Sequence, residues 1–250
     1  MVGVIIATTA WAVGGVCAQP AEELSDDPLP RVTMGVEADI SSRYFDRGML
    51  CSEGAVSQTS AWVSASGLTG SVWMNYDFNA AGGSPSLNEV DLALAWGTSL
   101  GSWDIEPSIA TFSYPRQPDV PWTAEVSLAV TWNLPIVQPF TVHRLDCKEY
   151  PGAYFGELGV QTGAPLFENL ELDATLSAGW ASAEFNEAYL GGAVSAMQVA
   201  MLDAGLTWNP VGGLYLWPHF TVATMLDADV RNLMEDATPV QLGLSIGGEF

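Results

Sequence analysis

The closing stretch of the chain, Pro239–Phe250 (PVQLGLSIGGEF), alternates to its last residue. Val240, Leu242, Leu244, Ile246 and Phe250 fall on one face, interrupted only by Gly248, and Gln241, Gly243, Ser245, Gly247 and Glu249 fall on the other. A period of two with one apolar and one polar or small face is that of a β-strand lying between two different media. Working back through the chain, the same pattern recurs at 32–43, 55–66, 70–79, 88–98, 103–113, 123–133, 138–145, 152–162, 169–181, 193–208, 213–226 and 239–250, which makes twelve strands.

The connections alternate in kind. Those at 67–70, 99–102, 134–137, 163–168 and 209–212 are tight, whereas those at 44–54, 80–87, 114–122, 146–151, 182–192 and 227–238 are longer and more charged. An even number of strands, with short turns at one end and longer loops at the other, predicts an all-β, antiparallel, up-and-down transmembrane β-barrel. Both termini fall on the short-turn side, which is periplasmic in such a barrel. No α-helix beyond a loop turn is expected. An aromatic residue closing the last strand also resembles the terminal strand that Gram-negative outer-membrane barrels present to their insertion machinery.

Composition agrees. The chain is 48% hydrophobic and 14% charged. After residue 18 no apolar run is long enough for a membrane helix, so the apolar residues are spread over every second position. A soluble barrel would carry the same alternation with the faces inverted, and the tryptophans separate the two cases. Trp96, Trp132 and Trp208 extend apolar faces at short-turn ends, Trp103 opens a strand at the same level, and Trp180 sits at the opposite end. Indoles at strand ends match an interfacial girdle. A formal charge of −22 with seven cations excludes nucleic acid as a partner, because phosphate binding needs a basic patch.

Residues 2–18 carry no charge and end in Val16-Cys17-Ala18, an apolar region followed by a small-residue cleavage site. Residues 1–18 therefore read as a signal peptide, 19–31 as an acidic, proline-bearing periplasmic linker and 32–250 as the barrel. The expected location is the outer membrane of a Gram-negative bacterium. Expected partners are lipid, lipopolysaccharide and the barrel-insertion machinery, the last through Pro239–Phe250. Two cysteines remain in the mature chain, Cys51 and Cys147; either one bridge or two free thiols fits.

The inward face carries Glu37, Asp39, Asp77, Glu89, Asp91, Asp104, Glu106, Glu125, Glu157, Glu171, Asp173 and Asp203. Arg43 and Arg47, read as continuing strand one, and Arg144 are their counter-charges. Two readings follow. Carboxylates around a narrow aqueous lumen concentrate cations, giving a small cation-preferring diffusion channel for cationic or neutral solutes. Alternatively, side chains close the lumen and the barrel is a structural or surface-binding protein. Trp62, Trp73, Tyr215 and Trp217 also face inward, toward the short-turn end, as a constriction, a stacking platform or filler.

No enzyme is expected. The only histidines, His143 and His219, lack a serine at strand spacing, and no metal-ligand, nucleophile-elbow or cofactor motif is present, so no cofactor is assigned. A lipid-modifying enzyme using either histidine is the weakest alternative.

Ser41–Met49 (SSRYFDRGM) resembles the opening of the TorF-like, or Gcw_chp-type, outer-membrane barrels, which read S-x-Y-x-x-R-G followed by an apolar residue. Ser42, Tyr44, Arg47, Gly48 and Met49 fit that spacing, and Glu89-Val90-Asp91, Tyr114-Pro115 and Tyr154 with Glu157-Leu158-Gly159 match further along. The resemblance implies a single exported, porin-like barrel of undefined substrate, with Arg47 as a rim or lumen arginine and Gly48 as a turn glycine.

Overall fold

The computed structural model describes residues 32–80 and 83–250. The expected signal peptide at 1–18 and linker at 19–31 lie outside the described residues. In chain order the strands are β1 (Val32–Ser41), β2 (Tyr44–Asp46), β3 (Met49–Ser52), β4 (Val56–Ala65), β5 (Leu68–Asp77), β6 (Ser86–Trp96), β7 (Thr98–Leu100) and β8 (Trp103–Ser113). They continue with β9 (Thr123–Trp132), β10 (Gln138–Asp146), β11 (Tyr154–Phe167), β12 (Leu170–Ala181), β13 (Ala196–Val211), β14 (Leu214–Met225) and β15 (Val240–Glu249). All but β2 and β3 pair with their chain neighbours in one antiparallel sheet, with β6 and β7 forming one strand broken at Gly97. Pairing of β1 with β15 closes that sheet into a twelve-stranded barrel.

The sign of the alternation is that of a membrane barrel. On β15, Leu242, Leu244 and Ile246 are 62%, 53% and 55% exposed, whereas Gln241 and Ser245 on the alternate positions are buried. On β1, Val32, Met34, Val36 and Ile40 point out while Gly35, Asp39 and Ser41 point in. A continuous exposed apolar surface around a polar interior is stable only against lipid. The barrel strands run from 9 residues in β10 to 16 in β13, long enough for the roughly 9–11 residues a tilted strand needs to span a bilayer. Trp96, Trp103, Trp132 and Trp208 are exposed at the short-turn end, and Trp103 stacks on Trp132 at 5.3 Å. No helix among the described residues is long and apolar enough to cross a membrane. At the seam the terminal Phe250 exchanges backbone hydrogen bonds with Met34, at 2.8 and 3.1 Å.

The structure corrects three expectations. The tight connections at 163–168 and 209–212 are mostly strand: β11 runs to Phe167 and β13 to Val211. Register shifts beside Pro165 and Pro210 let the ladder continue past residues that cannot donate to it. Second, two helices form in the long loops, α1 (Ala183–Leu190) and α2 (Ala228–Asn232). Their signals are local: Ser182 accepts from Phe185 N and Gly191, at φ 75°, ends α1, while Asp227 caps α2. Third, β1 ends at Ser41, so Arg43 and Arg47 do not continue it. Instead β2 and β3 form a separate hairpin.

Candidate functional site: a hairpin folded into the barrel

The hairpin turns at Arg47-Gly48, with φ of 50° and 81°. Positive φ at both central residues is the two-residue turn whose twist suits flanking antiparallel strands. Glycine adopts it freely; an arginine does so only where its surroundings hold it. Here they do. The Arg47 guanidinium makes a two-pronged ion pair with Glu125 of β9, Nη1 to Oε1 at 2.9 Å and Nη2 to Oε2 at 2.6 Å. Its Nε lies 3.4 Å from Asp46, and the Phe155 and Phe185 rings each stand 5.3 Å from its central carbon. Arg47 is 7% exposed, buried against the long-loop ends of β9 and β11. Gly48 abuts Met225 of β14 and Val199 of β13, where a β-carbon would come within 2.4 and 2.8 Å.

Around this tip the barrel holds an apolar core. Phe45 of the hairpin, Phe155 of β11, Phe185 of α1, Val199 and Met201 of β13, Met225 of β14 and Val230 of α2 pack as one buried cluster. The loops that carry α1 and α2 thus fold onto the hairpin. Asn186 fixes the α1 turn by donating its side-chain amide to Val194 O at 2.7 Å. On the other side, between the hairpin and the wall formed by β6, β8 and β9, lies a cavity of about 240 Å³. Its lining includes Tyr44, Asp46, Arg47, Glu89, Glu125 and Tyr189. Burial pushes the Asp46 carboxyl up to about 6, against the lowering pull of Arg47 and Arg144.

The other residues singled out from sequence take distinct places. Arg43 pairs with Asp236 of the 227–238 loop at 2.9 Å, a half-exposed rim contact. Arg144 pairs with Glu157 at 3.3 Å inside the wall. Glu37 accepts a hydrogen bond from Tyr215. Asp39 accepts from Ser41 and Ser245 and pairs with His219 Nε2 at 2.9 Å, and the His219 ring stacks on Trp217 at 3.8 Å. Asp173 and Asp203 accept from Thr207 and Thr221, each at 2.5 Å. Asp104 accepts from Ser99 and Asn133 near the short-turn end, and Glu106 is part-buried on the same strand. Asp91 is buried with both carboxylate oxygens lacking a hydrogen-bond partner. Trp62 covers Gly35, while Trp73 meets the hairpin's Tyr44 at 5.6 Å rather than closing a floor with Trp217. His143 faces outward, its Nδ1 2.6 Å from the Tyr154 hydroxyl. Cys51 and Cys147 are free thiols.

Sequence reasoning missed Tyr44, Asp46, Tyr114 and Tyr189 as interior residues. One signal was available: Asp46-Arg47-Gly48 between short aromatic and apolar runs has the form of a tight hairpin turn.

No protein-family model matches the chain, and no curated protein matches it in sequence. Among solved structures, the fold is similar to the KdgM porin, with TM-score 0.53 and 8% identity over 87% of this chain and 99% of that one. A KdgM porin in complex with disordered oligogalacturonate gives 0.51 and 10% over 87% and 98%. The NanC porin gives 0.53 and 11% over 87% and 98%. Likeness at such identities is a statement about architecture, and it agrees with the closed barrel and its apolar belt. The chain has the transmembrane β-barrel fold of porins.

Proposed function

We propose that this chain is an outer-membrane, porin-like diffusion channel that prefers small cations, and that the β2–β3 hairpin sets its opening. The observation that carries the reading is the contrast between an acid-rich inner face and the few cations set against it. Arg47 and Arg144 each pair with a glutamate, whereas Asp91 faces inward with no hydrogen-bond partner. Such an interior draws cations from bulk water. The likeness of Ser41–Met49 to the TorF-like barrels supports the same reading, since Tyr44, Arg47 and Gly48 of that motif build the hairpin. Export through a signal peptide at 1–18, insertion guided by Pro239–Phe250 and contact with lipopolysaccharide belong to this proposal.

A second reading, a closed barrel without transport, is favoured by the hairpin's own packing. A buried, two-pronged ion pair inside an apolar core is the fastening of a resting plug. Planar-bilayer conductance of the refolded mature protein under a salt gradient decides between them. The channel reading predicts step conductances whose reversal potential lies toward that of the cation, and a smaller preference in an Asp91→Asn, Asp203→Asn variant. Folded protein that never conducts, even with the hairpin released, refutes it.

A further inference from the structure

The cavity beside the hairpin has a chemistry of its own. Asp46, Glu89 and Glu125 line it together with Tyr44, Phe112, Tyr114 and Tyr189. Only one cation, Arg47, shares that lining. Arg47 meets Glu125 on two nitrogens and Asp46 through Nε, so a single positive charge is set against three lining carboxylates. Asp91 adds a further acidic side chain. It follows Glu89 by two residues on the same inward face of β6, sits opposite cavity-lining Phe112 in the β6–β8 ladder, and acts electrostatically on Glu89, Asp46 and Glu125. It is 3% exposed, and neither of its oxygens finds a hydrogen-bond partner in the protein. A buried carboxyl without a partner beside this lining calls for a polar or positive group from outside the chain.

The kind of cation follows from what surrounds the charge. Among the described residues no three carboxylate, thiol or imidazole side chains are placed to hold a metal ion. Hard divalent ions need oxygens converging within a few ångströms, and here the carboxylates are spread around an aromatic chamber. Aromatic faces beside diffuse negative charge are instead the surroundings that favour a soft, weakly hydrated cation. At about 240 Å³ the chamber is smaller than the roughly 300–1,000 Å³ typical of drug-sized ligands, so the guest is small.

We propose that the chamber between the hairpin and β6, β8 and β9 is a binding site for a small organic ammonium ion. The ammonium group sits between Asp46 and Glu89, with Asp91 behind Glu89 on the same face of β6, and its carbon substituents lie against the tyrosine rings. This rests on the channel reading in one respect: it identifies the class of cation that the lumen admits. Residues of the TorF-like motif, Tyr44 and Arg47, form one side of the site, so the hairpin is part of a receptor as well as a barrier.

Cys51 provides a native reporter, because this exposed thiol lines the same chamber while Cys147 does not. The folded full-length barrel in detergent is treated with matched methanethiosulfonates, one carrying trimethylammonium and one carrying sulfonate, with and without choline. The ratio of cationic to anionic labelling at Cys51 is expected to exceed that at Cys147 by about tenfold or more. Choline should slow the reaction at Cys51 alone, and Glu89→Gln with Asp91→Asn should abolish both effects. Calorimetric titration with choline, using tetramethylammonium and Mg²⁺ for comparison, gives a second readout that needs no thiol chemistry. Saturable binding of the organic cations, lost in the double variant, is the expected result. Equal labelling ratios at the two cysteines, or no saturable heat with choline, overturn the proposal. Bilayer currents separate the two ideas: cation-preferring conductance without choline binding removes the site and keeps the channel, whereas choline binding in a silent barrel does the reverse.

Discussion

Replacing Glu125 by glutamine strikes the hairpin where its hold is greatest. The substitution keeps the shape of the side chain but removes the charge that faces the Arg47 guanidinium on two nitrogens, at 2.9 and 2.6 Å. Removing one partner of a buried pair costs about 3–5 kcal/mol, because the other charge stays buried and uncompensated. Asp46, 3.4 Å from Nε, retains part of the compensation, and the glutamine oxygen still accepts one hydrogen bond, so the lower end of the range applies. About 3 kcal/mol at ~1.4 kcal/mol per decade moves the balance between inward and released hairpin by about a hundredfold. Single-channel recording at neutral pH measures that shift as a rise in open probability. A paired Arg47→Met, Glu125→Leu variant removes both charges together and, on the channel reading, should restore the native open probability, since apolar replacement of a whole buried pair is often neutral or better. Unchanged open probability in Glu125→Gln, with the barrel shown to be folded by circular dichroism, would refute the assignment of this ion pair as the fastening. So would a paired variant as open as the single one.

Other expectations follow from the same geometry. Asp46 ionises at about 6 with the hairpin inward and near 3.9 when it is released to water. The inward state therefore holds the proton more tightly; its advantage is complete below pH ~4 and is lost as the pH rises through about 6, on the order of 3 kcal/mol in all. The charges that set this balance are Arg47, Arg144, Glu125 and Glu157 around Asp46, with Glu89 beside it, and open probability should rise with pH across that window in the native barrel but not in Asp46→Asn. Gly48→Ala combines a left-handed backbone with a contact near 2.4 Å to Met225, so the hairpin should loosen by about 1–3 kcal/mol, read as faster Cys51 labelling. Leu244→Arg on the lipid face of β15 should cost about 2–4 kcal/mol in reversible folding into vesicles, whereas Thr221→Val, on the lumen side, should leave the apolar belt intact.

The barrel was legible in the sequence because a strand between lipid and water repeats a two-residue rule that needs no knowledge of its neighbours. Leu242 and Gln241 announce their faces by themselves. The tryptophans at short-turn ends supplied the sign of the alternation, and the exposed Trp96, Trp103 and Trp132 bear them out. The inward seat of the hairpin was not legible, because nothing within residues 44–54 says whether a loop rises from the rim or turns inward. That choice is made by Glu125, Phe155, Phe185 and Met225, and Glu125 alone lies 78 residues from Arg47. The helix α1 was missed for a different reason. Its cap signals at Ser182 and Gly191 were present, but they fall in a stretch that the strand count had already spent as a loop.

The tip of the hairpin also bears on the order in which the molecule can form. Residues 44–52 come early in the chain, yet their seat is assembled from β9, β11, α1, β13 and β14, so no N-terminal fragment contains a place for them. The ring itself is complete only where β15 meets β1 and Phe250 reaches Met34. Seating of the hairpin thus depends on strands from the second half of the chain, and a barrel lacking β9, β11, β13 or β14 lacks part of that seat.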